Sequence, residues 1–325
     1  MTRLIKHASI AFLVTAVLAG CSDDDNTEDI GNWVTGTVLD GPARSSAVVF
    51  TQGNYAYMGT GYDGDDYLKD FWRYNIQDGY WEQLSDFGGE PRSSAAAFVT
   101  GGFGYVGTGT NGPDLLNDFY KYDIQGDTWT PIADFGGAPR RAAVGFNSAT
   151  AGFVGSGFDG ANDRKDFWKY NPGNDTWVEL FGFGGNKRRE AVTFAIGEDV
   201  YFGTGITNGT HQDDFWKFNT VSETWTRLTD LDDDDDYTIT RAQATAFTIG
   251  NYGYICGGDN GNSVWEYNPA TDKWESKTDF EAASRVDAIA FSNGLRGFVA
   301  LGKSGEYYFD DMMEFQPFED EDDED

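Results

Sequence analysis

The chain has 325 residues, of which 16% are aromatic, 42 are glycine and only 8 are proline. That composition excludes wholesale disorder and points to short strands joined by tight turns. The formal charge is −31, a field that repels nucleic acid and anionic lipid headgroups alike, so no nucleic-acid partner is expected.

Residues 1–20 read as an address, not as part of a fold. Arg3 and Lys6 are basic, and residues 8–18 are apolar over a length too short to span a bilayer. Without this segment 21 basic residues face 54 acidic ones, a net charge of −33. The junction Leu18-Ala19-Gly20-Cys21 resembles the lipobox of bacterial lipoproteins. The resemblance implies cleavage before Cys21 and a diacylglyceryl anchor on it, and two acyl chains hold a protein stably on a membrane. Ser22-Asp23-Asp24-Asp25-Asn26 is similar to the acidic export signal of Bacteroidota lipoproteins, which implies the outer membrane and the cell surface. Residues 21–31 read as an acidic tether and 319–325 as an acidic tail. Together with 232–236 they concentrate acid in runs of the solvated kind.

From residue 32 onward the chain repeats itself. Trp33, Trp81, Trp129, Trp177, Trp225 and Trp274 follow one another at 48, 48, 48, 48 and 49 residues. A second ladder, Trp72, Tyr120, Trp168, Trp216, Trp265 and Met313, runs at 48, 48, 48, 49 and 48. Within the first unit, residues 45–50 suit an inner strand, 55–61 a second, 70–76 a third and 80–87 an outer strand. Gly53 and Gly79 mark the tight turns between them. Residues 62–69 form a polar loop.

This pattern resembles the Kelch repeat of the galactose oxidase/Kelch-like superfamily over residues 33–315. Its marks here are Tyr74 to Trp81, Tyr122 to Trp129, Tyr170 to Trp177, Phe218 to Trp225 and Tyr267 to Trp274. Its glycine pair survives literally as Gly257-Gly258 and elsewhere as Gly-Thr-Gly or Gly-Ser-Gly. These glycines are expected to admit a neighbouring sheet's tryptophan close to the backbone. The resemblance implies an all-β, six-bladed propeller over 32–318. Five units start at Arg44, Arg92, Arg140, Arg188 and Arg241, and a sixth starts at Arg285 but lacks an outer strand. The segment 32–39 with Trp33 is expected to supply it, so that the last blade is closed by the N-terminal strand and the ring has no open seam. A ring closed on itself reads as a monomer.

Candidate chemistry sits where loops share one face of such a disc. The arginine that opens each unit is expected to be structural, because every blade has one. Asp70, Asp118, Asp166 and Asp214 are expected to cap loop backbone. Two residues after the arginine the chain varies: Ser46, Ser94, Ala142, Glu190, Gln243 and Asp287. One residue after it, Arg141 and Arg189 interrupt smaller neighbours. A mouth lined by Ser46, Ser94, Arg141, Arg189, Glu190, Gln243 and Asp287 offers hydroxyls, guanidinium groups, an amide and carboxylates, a set suited to hydrogen-bonding a sugar or polar peptide.

No cofactor or metal is expected. Copper oxidases of the galactose oxidase kind need two histidines and a tyrosine–cysteine pair, and this chain has only His7 and His211. Cys256, in a glycine-rich strand, is expected to be buried, inert and unpaired with Cys21. Asp63-Gly64-Asp65-Asp66 lacks the twelve-residue spacing of a calcium loop. A non-catalytic binding module for a glycan or protein, displayed on the cell surface, is the leading expectation. Some bacterial Kelch propellers are sialic-acid mutarotases, so a sugar mutarotase or epimerase with Glu190 and Arg189 as its acid/base pair is the second. A structural subunit of a surface complex is the third.

Overall fold

The computed structural model describes residues 30–233, 237–320 and 322. The signal segment, Cys21 and the tether up to residue 29 lie outside the described residues. What is described is six four-stranded antiparallel sheets, the blades of a propeller, each running from an inner to an outer strand. Blade 1 is Val48–Gln52, Tyr55–Gly59, Phe71–Asn75 and Tyr80–Leu84. Blades 2 to 5 repeat it in chain order.

Blade 6 takes its three inner strands, Ile289–Ser292, Gly297–Ala300 and Met312–Asp320, from the C-terminal part and its outer strand, Ile30–Thr35, from the other end. Trp33 lies opposite Phe315 and is fully buried. Its indole meets Phe315 at 4.7 Å and Phe280 of the preceding blade at 4.9 Å, edge to face. The pairing reaches further than the sequence suggests. Ile30 and Gly31, expected in the tether, begin the strand, and Glu319 and Asp320, expected in the tail, end its partner. Ile30 pairs with Asp320, and the Asp322 amide donates to Asn32 Oδ1 at 3.0 Å. In the acidic run at 232–236, Asp232–Asp233 pairs with Tyr237–Thr238 instead of staying fully solvated.

Strand alternation explains the core. In Val48–Gln52, Val48 and Phe50 turn toward blade 2, while Val49 packs on the opposite side against the cluster shared with blade 6. Tyr57 and Phe71 of blade 1 then pack on Tyr122 and Trp129 of blade 2, with rings 5.0 to 6.0 Å apart, and Phe50 joins the same cluster. The outer strand is shorter than the pattern alone suggests. After Leu84 the Ser85 amide turns to the Asp127 carboxylate of blade 2, at 3.0 Å, and the chain leaves for the next blade.

Candidate functional site at the channel mouth

The opening arginine of each blade is buried and ties three strands together. Arg44 donates to Asp70 Oδ1 and Oδ2 at 2.6 and 2.5 Å and to the Thr60 carbonyl at 3.0 Å. Arg92 with Asp118, Arg140 with Asp166, Arg188 with Asp214 and Arg285 with Asp311 repeat the arrangement. In blade 5 the acid is absent and Arg241 binds Ser263 instead. The aspartates therefore do more than cap loop backbone: they neutralise a buried guanidinium, and in three blades they also accept the indole N–H two residues on. Burial alone would push Asp166 up, but Arg140 outweighs it and holds the carboxyl down to about 2.

The arginine also explains the glycine motif. The middle residue of each triplet, Thr60, Thr108, Ser156, Thr204, Gly257 and Leu301, has φ between 58° and 67°, and its carbonyl accepts the guanidinium. Gly61, at φ +106°, leaves no room for a Cβ, which would sit 2.9 Å from the Ser45 carbonyl. Gly107 likewise has the Phe119 ring of its own blade against it. The motif thus admits its own blade's phenylalanine and inner-strand carbonyl, not a neighbouring sheet's tryptophan.

Two closed belts of backbone hydrogen bonds run round the mouth. In the first, the Gly61, Gly109, Gly157, Gly205, Gly258 and Gly302 amides donate to the next blade's arginine carbonyl, and the last of them returns to Arg44. In the second, the Ser94 amide donates to the Ser46 carbonyl, Ala142 to Ser94, Glu190 to Ala142, Gln243 to Glu190, Asp287 to Gln243 and Ser46 to Asp287, at 2.9 to 3.3 Å. All six of these residues are left-handed, with φ from 52° to 57°. Below them the strand period puts Ala47, Ala95, Ala143, Ala191, Ala244 and Ala288 in the next layer. The narrow neck carries no charge of its own.

A Kelch motif matches residues 240–280. The solved structure of YjhT superposes with a TM-score of 0.72 at 15% identity, covering 85% of this chain and 95% of that one. No curated protein sequence matches. The chain is a six-bladed β-propeller with a Kelch motif in its fifth blade.

On this propeller the second belt gathers five of the seven expected site residues. Glu190, Gln243 and Asp287 occupy three consecutive positions, and Ser46, Ser94 and Ala142 the other three. The mouth is therefore acidic on one arc and small and hydroxylic on the other. Gln243 Nε2 donates to Asp287 Oδ2 at 3.0 Å. Burial, and next the Glu190 carboxylate, push Asp287 up to about 6 against the pull of Lys303, Ser46 and Gln243. Burial also raises Glu190, against Arg189 and Arg141.

The two arginines flank the belt. Arg189 is 3.4 Å from Glu190 and 2.6 Å from the buried Asp163. Arg141 is exposed, lies 5.8 Å from the Phe158 ring and forms no ion pair among the described residues. Asp163 is a member that sequence reasoning missed. So are Tyr62, Tyr67 and Tyr308, whose rings sit 4.9 and 6.0 Å apart beside the hydroxylic arc. Their signal was present as tyrosines in the first and last polar loops, but loops of two distant units meet only when the ring closes. Cys256 is buried and unpaired, and burial pushes its thiol up to about 12.

A cavity of about 790 Å³ opens at the other end of the channel. Thr51, Asn147, Thr193, Thr248 and Ser292 line it, with the Lys169–Glu223 ion pair at its edge. Glu198 and apolar side chains also line it, and the two raised carboxyls, Glu190 and Asp287, both belong to the mouth.

Proposed function

We propose that this propeller is a binding module whose mouth recognises a polyhydroxylated ligand, a glycan, and that Cys21 anchors it by lipid to the outer membrane. The observation that carries the reading is the second belt. One rigid ring of backbone presents two serine hydroxyls, an amide and two carboxyls around a single opening, and at these positions the side chain differs from blade to blade. Small hydroxyls on one arc and carboxyl and amide groups on the other suit a sugar edge, and the nearby tyrosines give its apolar face a surface. The alanine neck keeps the ligand at the mouth.

The test is a glycan array with the detergent-solubilised full chain and the triple variant Glu190→Ala, Gln243→Ala, Asp287→Ala. Ala142 already occupies a belt position at φ 53°, so alanine is tolerated there. Loss of every bound glycan by the folded variant supports the assignment, and unchanged binding removes it.

A second reading rests on Asp287. A carboxyl near 6 beside another raised carboxyl can both give and take a proton at neutral pH, as a sugar mutarotase or epimerase requires. Proton NMR of anomeric exchange decides it: acceleration lost in Asp287→Asn supports catalysis, and no acceleration over buffer for any sugar dismisses it.

A further inference from the structure

In five blades the linker to the following blade is clasped to the polar loop by one backbone hydrogen bond. The Phe87 amide donates to Lys69, Phe135 to Asn117, Leu231 to Asp213, Phe280 to Asn262 and Leu39 to Asp310, at 2.7 to 2.9 Å. Blade 3 lacks this bond: the Phe183 amide does not reach the Lys165 carbonyl. A second tie is missing at the same place. The indoles of Trp81, Trp129, Trp177 and Trp33 donate to the carbonyls of Thr37, Ser85, Ala133 and Thr278 in the preceding linker. The corresponding Trp225 Nε1 is buried without a partner; Trp274 Nε1 is too, but the linker beside it keeps its backbone bond from Leu231 to Asp213. With both ties absent, a cleft of about 330 Å³ stands open between the polar loop and the linker, and Phe181 at its lip is 79% exposed.

The residues that line this cleft depart from the repeat in one direction. Leu68, Leu116 and Arg164 are equivalent, because each accepts the amide of the next blade's opening arginine. Only blade 3 places a cation there. The residue before that arginine is Ala43, Pro91, Pro139, Thr240 or Ser284 in the other blades, and Lys187 here. Lys165 and Lys187 are exposed and form no ion pair among the described residues. The acids around the cleft are largely committed: Asp163 holds Arg189, Asp166 holds Arg140 and Arg164, and Asp159 also holds Arg164. Glu179 is the one uncommitted acid. Two unpaired lysines therefore stand against one uncommitted acid in this cleft, in a chain of net charge −31.

We propose that this cleft is a second binding site, for an oligosaccharide bearing one or a few carboxylate or sulfate groups, with Lys165 and Lys187 as its anion-binding cations beside the ion-paired Arg164. The site goes beyond the mouth reading, since none of the three belongs to the belt. Its ligand carries few charges. The overall negative field opposes a dense polyanion, whereas at physiological salt the screening length is about 8 Å, so nearby cations dominate inside the cleft. The exposed Phe181 offers an aromatic surface for a sugar ring.

The test is calorimetric titration of the detergent-solubilised full chain with trigalacturonate, with a sulfated trisaccharide, and with the carboxyl-reduced form of trigalacturonate as the neutral control. Binding of either acidic probe, weakened about tenfold or more by the exposed-residue double variant Lys165→Ala, Lys187→Ala, is expected. The two acidic arms tell carboxylate from sulfate. A control variant, Lys69→Ala with Lys273→Ala, should bind as the wild type does. Equal affinity for the carboxyl-reduced probe, wild-type affinity in the Lys165/Lys187 variant, or no binding of either acidic probe overturns the proposal. The belt variant Glu190→Ala, Gln243→Ala, Asp287→Ala separates the two sites: it should lose the mouth ligand and keep the acidic one.

Discussion

Replacing Asp287 by asparagine isolates the electrostatic cost of the mouth. Asparagine tolerates the left-handed φ of 55° and keeps both an acceptor for Ser46 and a group to meet Gln243. What it removes is the charge. The folded carboxyl titrates near 6 against an ordinary 3.8, and each pH decade between them is 1.36 kcal/mol. Keeping Asp287 ionised at pH 8 thus costs at most about 3 kcal/mol. The sign follows from linkage. The folded state holds this proton more tightly than the unfolded state, so the protonated group favours folding below about pH 4. That advantage is lost as pH rises through about 6. The variant should therefore be about 2–3 kcal/mol more stable than wild type at pH 8 and less than about 1 kcal/mol more stable at pH 4. Urea unfolding followed by tryptophan fluorescence at both pH values measures the difference, and groups common to both proteins cancel. A gain of equal size at pH 4 and pH 8, or a loss of stability at pH 8, would refute the reasoning.

The buried pairs behave in the opposite way. Asp166 is held down to about 2, so its contribution is present above about pH 4 and disappears as pH falls through about 2. Asp166→Asn should lose about 3–5 kcal/mol at pH 7 by leaving Arg140 buried and uncompensated, as denaturant titration will show. Trp33→Ala removes a fully buried ring from the closing strand. It should cost about 3–5 kcal/mol and selectively raise hydrogen exchange in Met312–Asp320. Cys256, buried with its thiol near 12, should resist iodoacetamide in the native state and react on unfolding. Labelling of the native thiol at pH 8 would contradict its placement.

Much of the fold was legible in the chain because the repeat is written in residue types that carry geometry. Tryptophans at a constant period require equivalent sheets, and a tryptophan one period too early with no outer strand at the far end requires the two termini to meet. Strand ends were less legible. Residues 85–87 continue the outer-strand pattern, yet Ser85 has a better partner in Asp127 of the next blade. The arginine–aspartate pairing escaped notice for a similar reason: the partners lie 26 residues apart, and regularity alone says that both are structural without saying that they touch.

The mouth residues were found by variation against the repeat, which marks the positions that folding leaves free. Their chemistry was not. That Glu190, Gln243 and Asp287 become neighbours follows from closing a ring, and the rise of Asp287 follows from burial beside a second carboxylate. The cleft of blade 3 shows the division most plainly. Arg164 and Lys187 can be read as departures from Leu and Pro by anyone who aligns the units. The open space in front of them lies at the one linker that lacks both the backbone clasp and the indole bond. A sequence period can say which residues occupy equivalent places, since equivalence is a matter of order along the chain. Which bonds form at those places depends on distances across the ring, and only the assembled structure sets those.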